Sequence, residues 1–161
     1  MTIQIGDKIP SVNFKQITAD GLVDVPSEDY FKGRKVALFS VPGAFTPTCS
    51  AQHVPSYVGS ADALKAKGVG AVACVSVNDA FVMKAWGETQ SVGDAVEMLA
   101  DGNGEFARAT GLTMDGSGYG LGERSTRFSM IVDDGTLTQL NVESNPSEMD
   151  LSSAEHMLGQ L

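Results

Sequence analysis

Cysteine is scarce in this chain of 161 residues, which carries only Cys49 and Cys74, 25 positions apart. Two thiols are too few for a disulfide framework. A reducing compartment is the default for such a protein, so a cytoplasmic location is expected. Two cysteines and two histidines at unrelated spacings make no structural zinc set, and neither a metal nor a cofactor is expected. Basic residues are also few: 11 Lys and Arg stand against 20 Asp and Glu, a net charge of −9. That balance argues against nucleic acid or an anionic membrane surface as a partner. No apolar run approaches the roughly 20 residues needed to span a bilayer. The stretch from Met1 to Lys8 has neither an apolar h-region nor an Arg-rich amphipathic pattern, so no targeting peptide is expected in it. No repeat, low-complexity tract or linker divides the chain, and residues 1–161 are expected to form a single domain.

What is present is an alternation of extended and helical segments. Ile3 to Pro10 reads as an extended lead-in, with strands at Val12 to Ile17 and Leu22 to Pro26. Ser27 is expected to cap a brief helical turn through Tyr30, Phe31 and Lys32. Val36 to Val41 is a buried strand. Val69 to Val77, the most apolar stretch, reads as a central strand covered on both faces. Between them a helix opens at Thr46, should bend or end its first part at Pro55, and resumes to a stop at Gly68. Asn78 or Asp79 caps the next helix, in which Phe81 and Trp86 fall at core spacing. A short strand at Val96 to Ala100 and a helical turn at Asn103 to Thr110 follow. Asp133-Asp134-Gly135 is a strong hairpin signal between strands Phe128 to Val132 and Thr136 to Val142. Ser152 or Ser153 opens a closing amphipathic helix. This order predicts an α/β protein with a thioredoxin-like fold, a central mixed β-sheet flanked by helices, and an N-terminal β extension. The glycine-rich run Gly116 to Gly122 does not follow a strand and open a helix as a phosphate loop must, and reads as a mobile surface loop.

The chemistry centres on Val41-Pro42-Gly43-Ala44-Phe45-Thr46-Pro47-Thr48-Cys49-Ser50. Thr46 suits an N-cap and Pro47 a first helical position, which puts Cys49 in the first turn, at the positive end of the helix dipole. A thiolate is favoured there. A Cys-x-x-Cys pair is excluded by Gln52, and a phosphatase-type Cys-x5-Arg loop by Pro55. His156 has no evident way to serve a cysteine protease. What remains is a lone thiolate with the Thr46 hydroxyl one turn away and Pro42 able to shield it, a setting suited to attack on the weak O–O bond of a peroxide.

Pro42-x-x-x-Thr46-x-x-Cys49 resembles the signature of peroxiredoxins, and the longer string resembles the peroxiredoxin-5 group, also called plant type II. Leu64 to Val69, Cys74 to Val82, Trp86-Gly87, Arg127 to Met130 and Asn141-Val142-Glu143 extend the likeness over nearly the whole chain. The resemblance implies a thiol-dependent peroxidase acting on hydrogen peroxide and alkyl hydroperoxides. Cys49 would be the nucleophile, Thr46 would bond thiolate and peroxide, Pro42 would shield the sulfur, and Arg127 would favour the thiolate and polarise the O–O bond. Arg124, three residues earlier, competes with Arg127 for that role. His53, at i+4 from Cys49, is either a contact to the pocket or a polar residue bonding nearby backbone or lining a dimer contact.

Regeneration is open. No cysteine lies between Ser144 and His156, where animal relatives carry a resolving cysteine. Cys74 matches the position assigned that role in plant relatives, but it lies in an apolar strand. Either Cys49 and Cys74 form a disulfide reduced by thioredoxin, or the Cys49 sulfenic acid condenses with glutathione or a glutaredoxin thiol. The resemblance also implies a homodimer. The alternative class is a non-catalytic thioredoxin-like redox-signalling or holdase protein, which would have no use for Pro42, Thr46, Cys49 and Arg127 together.

Overall fold

In the computed structural model, which describes residues 1–161, strands β3 (Lys35–Ser40) and β4 (Ala71–Ser76) run parallel through the centre. Both are buried on two faces, as their unbroken apolar runs require. Ala37 and Phe39 of β3 join Val72 and Cys74 of β4 in one core, and Val36 and Leu38 join Ala71, Ala73 and Val75 in the other. The sheet has seven strands in the order β2-β1-β5-β4-β3-β8-β9. Here β1 is Asn13–Thr18, β2 Gly21–Pro26, β5 Glu97–Ala100, β8 Phe128–Asp133 and β9 Thr136–Val142. β5 is parallel to β4, whereas β8 and β9 are antiparallel additions on the other side. The β1–β2 hairpin extends the far edge through β5. This is the mixed thioredoxin-like sheet with an N-terminal β extension that the element order predicts.

Helices α2 (Val54–Ala66), α3 (Ala80–Thr89) and α5 (Ala154–Leu158) cover one face with Tyr57, Leu64, Met83, Trp86 and Met157. Helices α1 (Ser27–Phe31) and α4 (Glu105–Thr110) cover the other with Phe31 and Phe106. Asp79, rather than Asn78, caps α3 by accepting the Val82 N–H at 2.8 Å. Ser153 caps α5 through the His156 N–H.

Two sequence expectations are corrected. Ser27 lies inside α1 and caps nothing. Its hydroxyl donates to the Pro10 carbonyl at 2.7 Å and accepts the Val12 N–H at 2.9 Å, tying the lead-in to the helix. Phe81 is not core: it is 67% exposed, because it sits on the outer side of α3 while Trp86 turns fully inward. The glycine-rich run lies at the surface before the next strand, as expected, and forms the tip of a small antiparallel ladder of β6 (Thr113–Asp115) and β7 (Glu123–Ser125). Those strands are three residues each, too short to leave a period-2 pattern in the sequence.

Candidate active site

The turn from Val41 to Thr46 leaves the C-terminal end of β3 and feeds the helix that contains Cys49. Pro47 is its first helical residue, and the Thr46 carbonyl accepts the Ser50 N–H at 3.0 Å, so the backbone does begin where Thr46-Pro47 predicts. The Thr46 hydroxyl, however, caps no backbone N–H. It lies 2.7 Å from the Gly43 carbonyl and 2.8 Å from Cys49 Sγ. The hydroxyl carries one proton, so it donates to one of these partners at a time and has a lone pair for the other.

Pro55 does not stop the chain from continuing as helix, but a first, π-helical part ends at His53, just before it. Having no N–H, Pro55 cannot bond the carbonyl of Ala51, and the chain accommodates it with a π turn over Cys49–His53. In that turn the Val54 N–H reaches back five residues to the Cys49 carbonyl. Two contacts from outside hold the region. The Ala44 N–H donates to Asn78 Oδ1 at 3.0 Å, and Trp86 Nε1–H donates to Ser50 Oγ at 3.0 Å. Pro42 is buried over the turn, and Cys49 is wholly buried.

Arg127 immediately precedes β8, and the β3–β8 register explains why it is here. Ser40 pairs with Phe128, so the antiparallel ladder sets Arg127 beside the end of β3, where the Cys49 turn begins. Its side chain is buried, and all three guanidinium nitrogens are used. Nε donates to the Pro146 carbonyl at 2.9 Å, Nη1 to His53 Nδ1 at 2.8 Å and Nη2 to Cys49 Sγ at 3.0 Å. Its competitor Arg124 does not touch the sulfur. It donates through Nε to the Leu121 carbonyl and through Nη1 to the Pro42 carbonyl at 3.3 Å, bracing the shielding proline. No carboxylate pairs with Arg127: the ion pairs of the chain are Lys15–Asp24, Lys84–Glu88 and Arg108–Glu123. The Cys49 sulfur is therefore the group available to balance a buried guanidinium.

His53 contributes both of the contacts anticipated for it. Because a guanidinium only donates, Nδ1 must accept from Arg127. Nε2 then carries the proton and donates to the Ser152 carbonyl at 3.0 Å. Burial, followed by the adjacent Arg127 charge, pushes the imidazole down to about 3, against an opposing pull from Ser152. It is a neutral base at ordinary pH. The Tyr57 hydroxyl donates to the same Ser152 carbonyl at 2.8 Å. Cys74 is on β4 beneath the site, free and fully buried. Burial, and then the neighbouring Cys49, push its thiol well above the ordinary range.

Sequence reasoning missed the Pro146 and Ser152 carbonyls and the roles of Tyr57 and Asn78. Backbone carbonyls leave no residue-type signal. A cleft of about 770 Å³ lies elsewhere, at the end of the sheet where β3 and β4 begin. Arg34, Lys65, Gly70 and Lys84 line it, and neither Cys49 nor any side chain that bonds Cys49 or Arg127 does.

A family model described as Redoxin matches residues 4–158. Peroxiredoxin-2E-2, chloroplastic, of Oryza sativa subsp. japonica is 50% identical over 165 residues, spanning 99% of this chain and 73% of that protein. Peroxiredoxin-2D of Arabidopsis thaliana is 46% identical over 161 residues, spanning 99% of this chain and 98% of that one. Among solved structures, reduced Prx3 in complex with H2O2 from Vibrio vulnificus aligns with a TM-score of 0.94 at 51% identity, over 99% of each chain.

The neutral burial of His53 has a consequence for stability. A base whose folded value lies below its unfolded one, near 6.5, leaves the unfolded state binding more protons between those two values. Stability therefore falls as pH drops from 6.5 toward 3. The slope due to His53 approaches about 1.4 kcal/mol per pH unit in that window. Urea unfolding at a series of pH values between 6.5 and 5 should show this slope in the native chain, and a His53→Gln variant should lose it.

Proposed function

The chain belongs to the Redoxin family as one of its peroxiredoxins, which are thiol-dependent peroxidases, and from that premise we propose that Cys49 is the sulfur that attacks the peroxide. The observation that carries this reading is the 3.0 Å contact of Arg127 Nη2 to Cys49 Sγ, made by a buried guanidinium with no carboxylate partner. The guanidinium donates directly to the sulfur, and the Thr46 hydroxyl lies 2.8 Å from it.

The thiolate electron pair attacks one peroxide oxygen, an S–O bond forms and the O–O bond breaks. Sulfur is oxidised by two electrons, and the peroxide is reduced to water or an alcohol. Thr46 Oγ1, with its proton directed to the Gly43 carbonyl, has a lone pair to accept a hydrogen bond from the O–H of the attacked oxygen, and that proton passes to the leaving oxygen, giving water or an alcohol and a sulfenate on Cys49 that is protonated to the sulfenic acid. Arg127 donates to the charge developing on the leaving oxygen, where one such donor is worth about 3 kcal/mol in a site closed to water. Pro42 keeps bulk water off the sulfur. Hydrogen peroxide and small alkyl hydroperoxides fit this reading.

The resulting sulfenic acid condenses with a second thiol, forming a disulfide and releasing water. We assign that thiol to glutathione or a glutaredoxin rather than to Cys74. A thiol held protonated inside a central strand is a poor nucleophile, and the strand ladder on both sides of Cys74 ties down its backbone. Cys49 is itself buried, so the external thiol reaches it after the turn opens, by release of the Trp86–Ser50 and Asn78–Ala44 contacts.

A homodimer completes the reading. Phe45 and Phe81 are 53% and 67% exposed. The Asn78–Ala44 bond brings their two segments together beside the site, which supports this face as the pairing surface.

Cys49→Ser is expected to abolish peroxide-dependent thiol loss. In stopped-flow measurements Arg127→Lys should lower the second-order rate constant by about 10²–10³, and Arg124→Lys by much less. The reverse order would overturn the assignment of Arg127. A Cys74→Ser variant should keep full turnover with glutathione and glutaredoxin, and mass spectrometry after one equivalent of peroxide plus glutathione should show a mixed disulfide on Cys49. Complete loss of turnover would make Cys74 the resolving thiol. Sedimentation velocity should show a dimer that Phe81→Lys shifts toward monomer.

A further inference from the structure

Between β9 and α5 the chain has no regular secondary structure, yet this segment reaches the site at four points. The Pro146 carbonyl accepts Arg127 Nε–H at 2.9 Å, and the Ser147 carbonyl accepts the Thr48 hydroxyl at 2.8 Å. The Ser152 carbonyl accepts both His53 Nε2–H and the Tyr57 hydroxyl. An irregular segment does not by itself keep carbonyls on target to within a few tenths of an ångström.

What gathers it is Glu143. Its Oε2 accepts the Asp150 N–H at 2.8 Å, the Ser152 N–H at 2.8 Å and the Ser152 hydroxyl at 2.6 Å, and its Oε1 accepts the Leu151 N–H at 3.3 Å. The Glu143 N–H in turn donates to the Arg127 carbonyl at 3.0 Å. One carboxylate, fastened to the backbone beside Arg127, thus folds residues 150–152 back over the site. Burial opposes its charge, but the donors of Ser152, Asp150 and Leu151 outweigh burial and hold the carboxyl below its ordinary value.

We propose that Glu143 is a positioning residue of the peroxidase reaction. It sets the Ser152 carbonyl so that His53 keeps its proton on Nε2, which leaves His53 Nδ1 bare to hold the Arg127 guanidinium against the Cys49 sulfur. This rests on the role given to Arg127 above. A carboxylate is required because four donors converge on it, and the amide of a glutamine would turn an N–H toward some of them.

The test uses the full chain with Glu143→Gln and reads two quantities. One is the rate constant of Cys49 thiol loss with hydrogen peroxide. The other is the long-range proton–nitrogen spectrum of the His53 ring, which reports the nitrogen that carries the proton. The native protein should show the Nε2–H form alone. The variant should show exchange between the two tautomers and a peroxide rate lower by about tenfold to a hundredfold, the size of effect expected from a small displacement of a catalytic group. In a His53→Leu background the same change should cost less than about twofold more, because its route to Arg127 is already cut. An unchanged His53 spectrum, or an equal loss of rate in both backgrounds, would overturn the proposal. If Glu143→Gln does not fold, Ser152→Ala decides. It removes only the 2.6 Å hydroxyl bond and keeps the carbonyl, and should move both readouts in the same direction by less; no movement in either overturns the proposal. Failure of the Cys49 reading would look different: the native chain would not consume peroxide, while the His53 ring would still answer to Glu143.

Discussion

A guanidinium shut away from water with no carboxylate beside it is the constraint on which this structure depends. A buried charge costs several kcal/mol unless it is paired and its donors are satisfied. Arg127 is satisfied nitrogen by nitrogen, by a carbonyl, an imidazole and a sulfur. The partners arrive from two distant parts of the chain. The β3–β8 register delivers Arg127 to the end of β3, the helix after β3 supplies Cys49 and His53, and the 143–152 segment supplies the Pro146 carbonyl. Only one of these partners can become an anion on demand, and that is the sulfur. The electrostatic need of the arginine and the chemical need of the cysteine are the same contact.

The turn that carries the sulfur is tight and under tension. Phe45 adopts φ +66, a left-handed conformation that costs an ordinary residue about 1–2 kcal/mol. A Cβ at Gly43 would meet Arg124 Nη1 at 3.0 Å and Thr46 Cγ2 at 3.2 Å, so any larger residue there would make both side chains give way by a few tenths of an ångström. The π turn that follows is wider than an α turn and gives up part of the regular ladder. These local costs are offset by hydrogen bonds from α3 and β4 and by the closed core beneath. Such an arrangement holds Cys49 in place beside Arg127.

Much of this was legible in the residues. Alternation and apolar runs marked β3, β4 and the β8–β9 hairpin, because burial on one or two faces leaves a periodic trace. The Pro42, Thr46, Cys49 and Arg127 pattern pointed to one chemistry, and the distances bring Thr46 and Arg127 to the sulfur, with Pro42 buried in the turn before it. What escaped was of two kinds. Short elements such as β6 and β7 are held by backbone pairing rather than pattern. Phe81 has core spacing on α3 but faces outward, since spacing tells which residues share a face and not which face is covered.

The sequence by itself determined where a reactive cysteine would sit and what surrounds it within one turn, because strand end, Pro-Gly break and helix start are local features. It could name Arg127 only by resemblance, since 78 residues separate it from Cys49. Only the tertiary structure decided between Arg124 and Arg127, through an antiparallel register that no local pattern encodes. It alone revealed that His53 and Glu143 stand behind that arginine, because their link runs through the Ser152 backbone carbonyl, an atom every residue possesses and no sequence can single out.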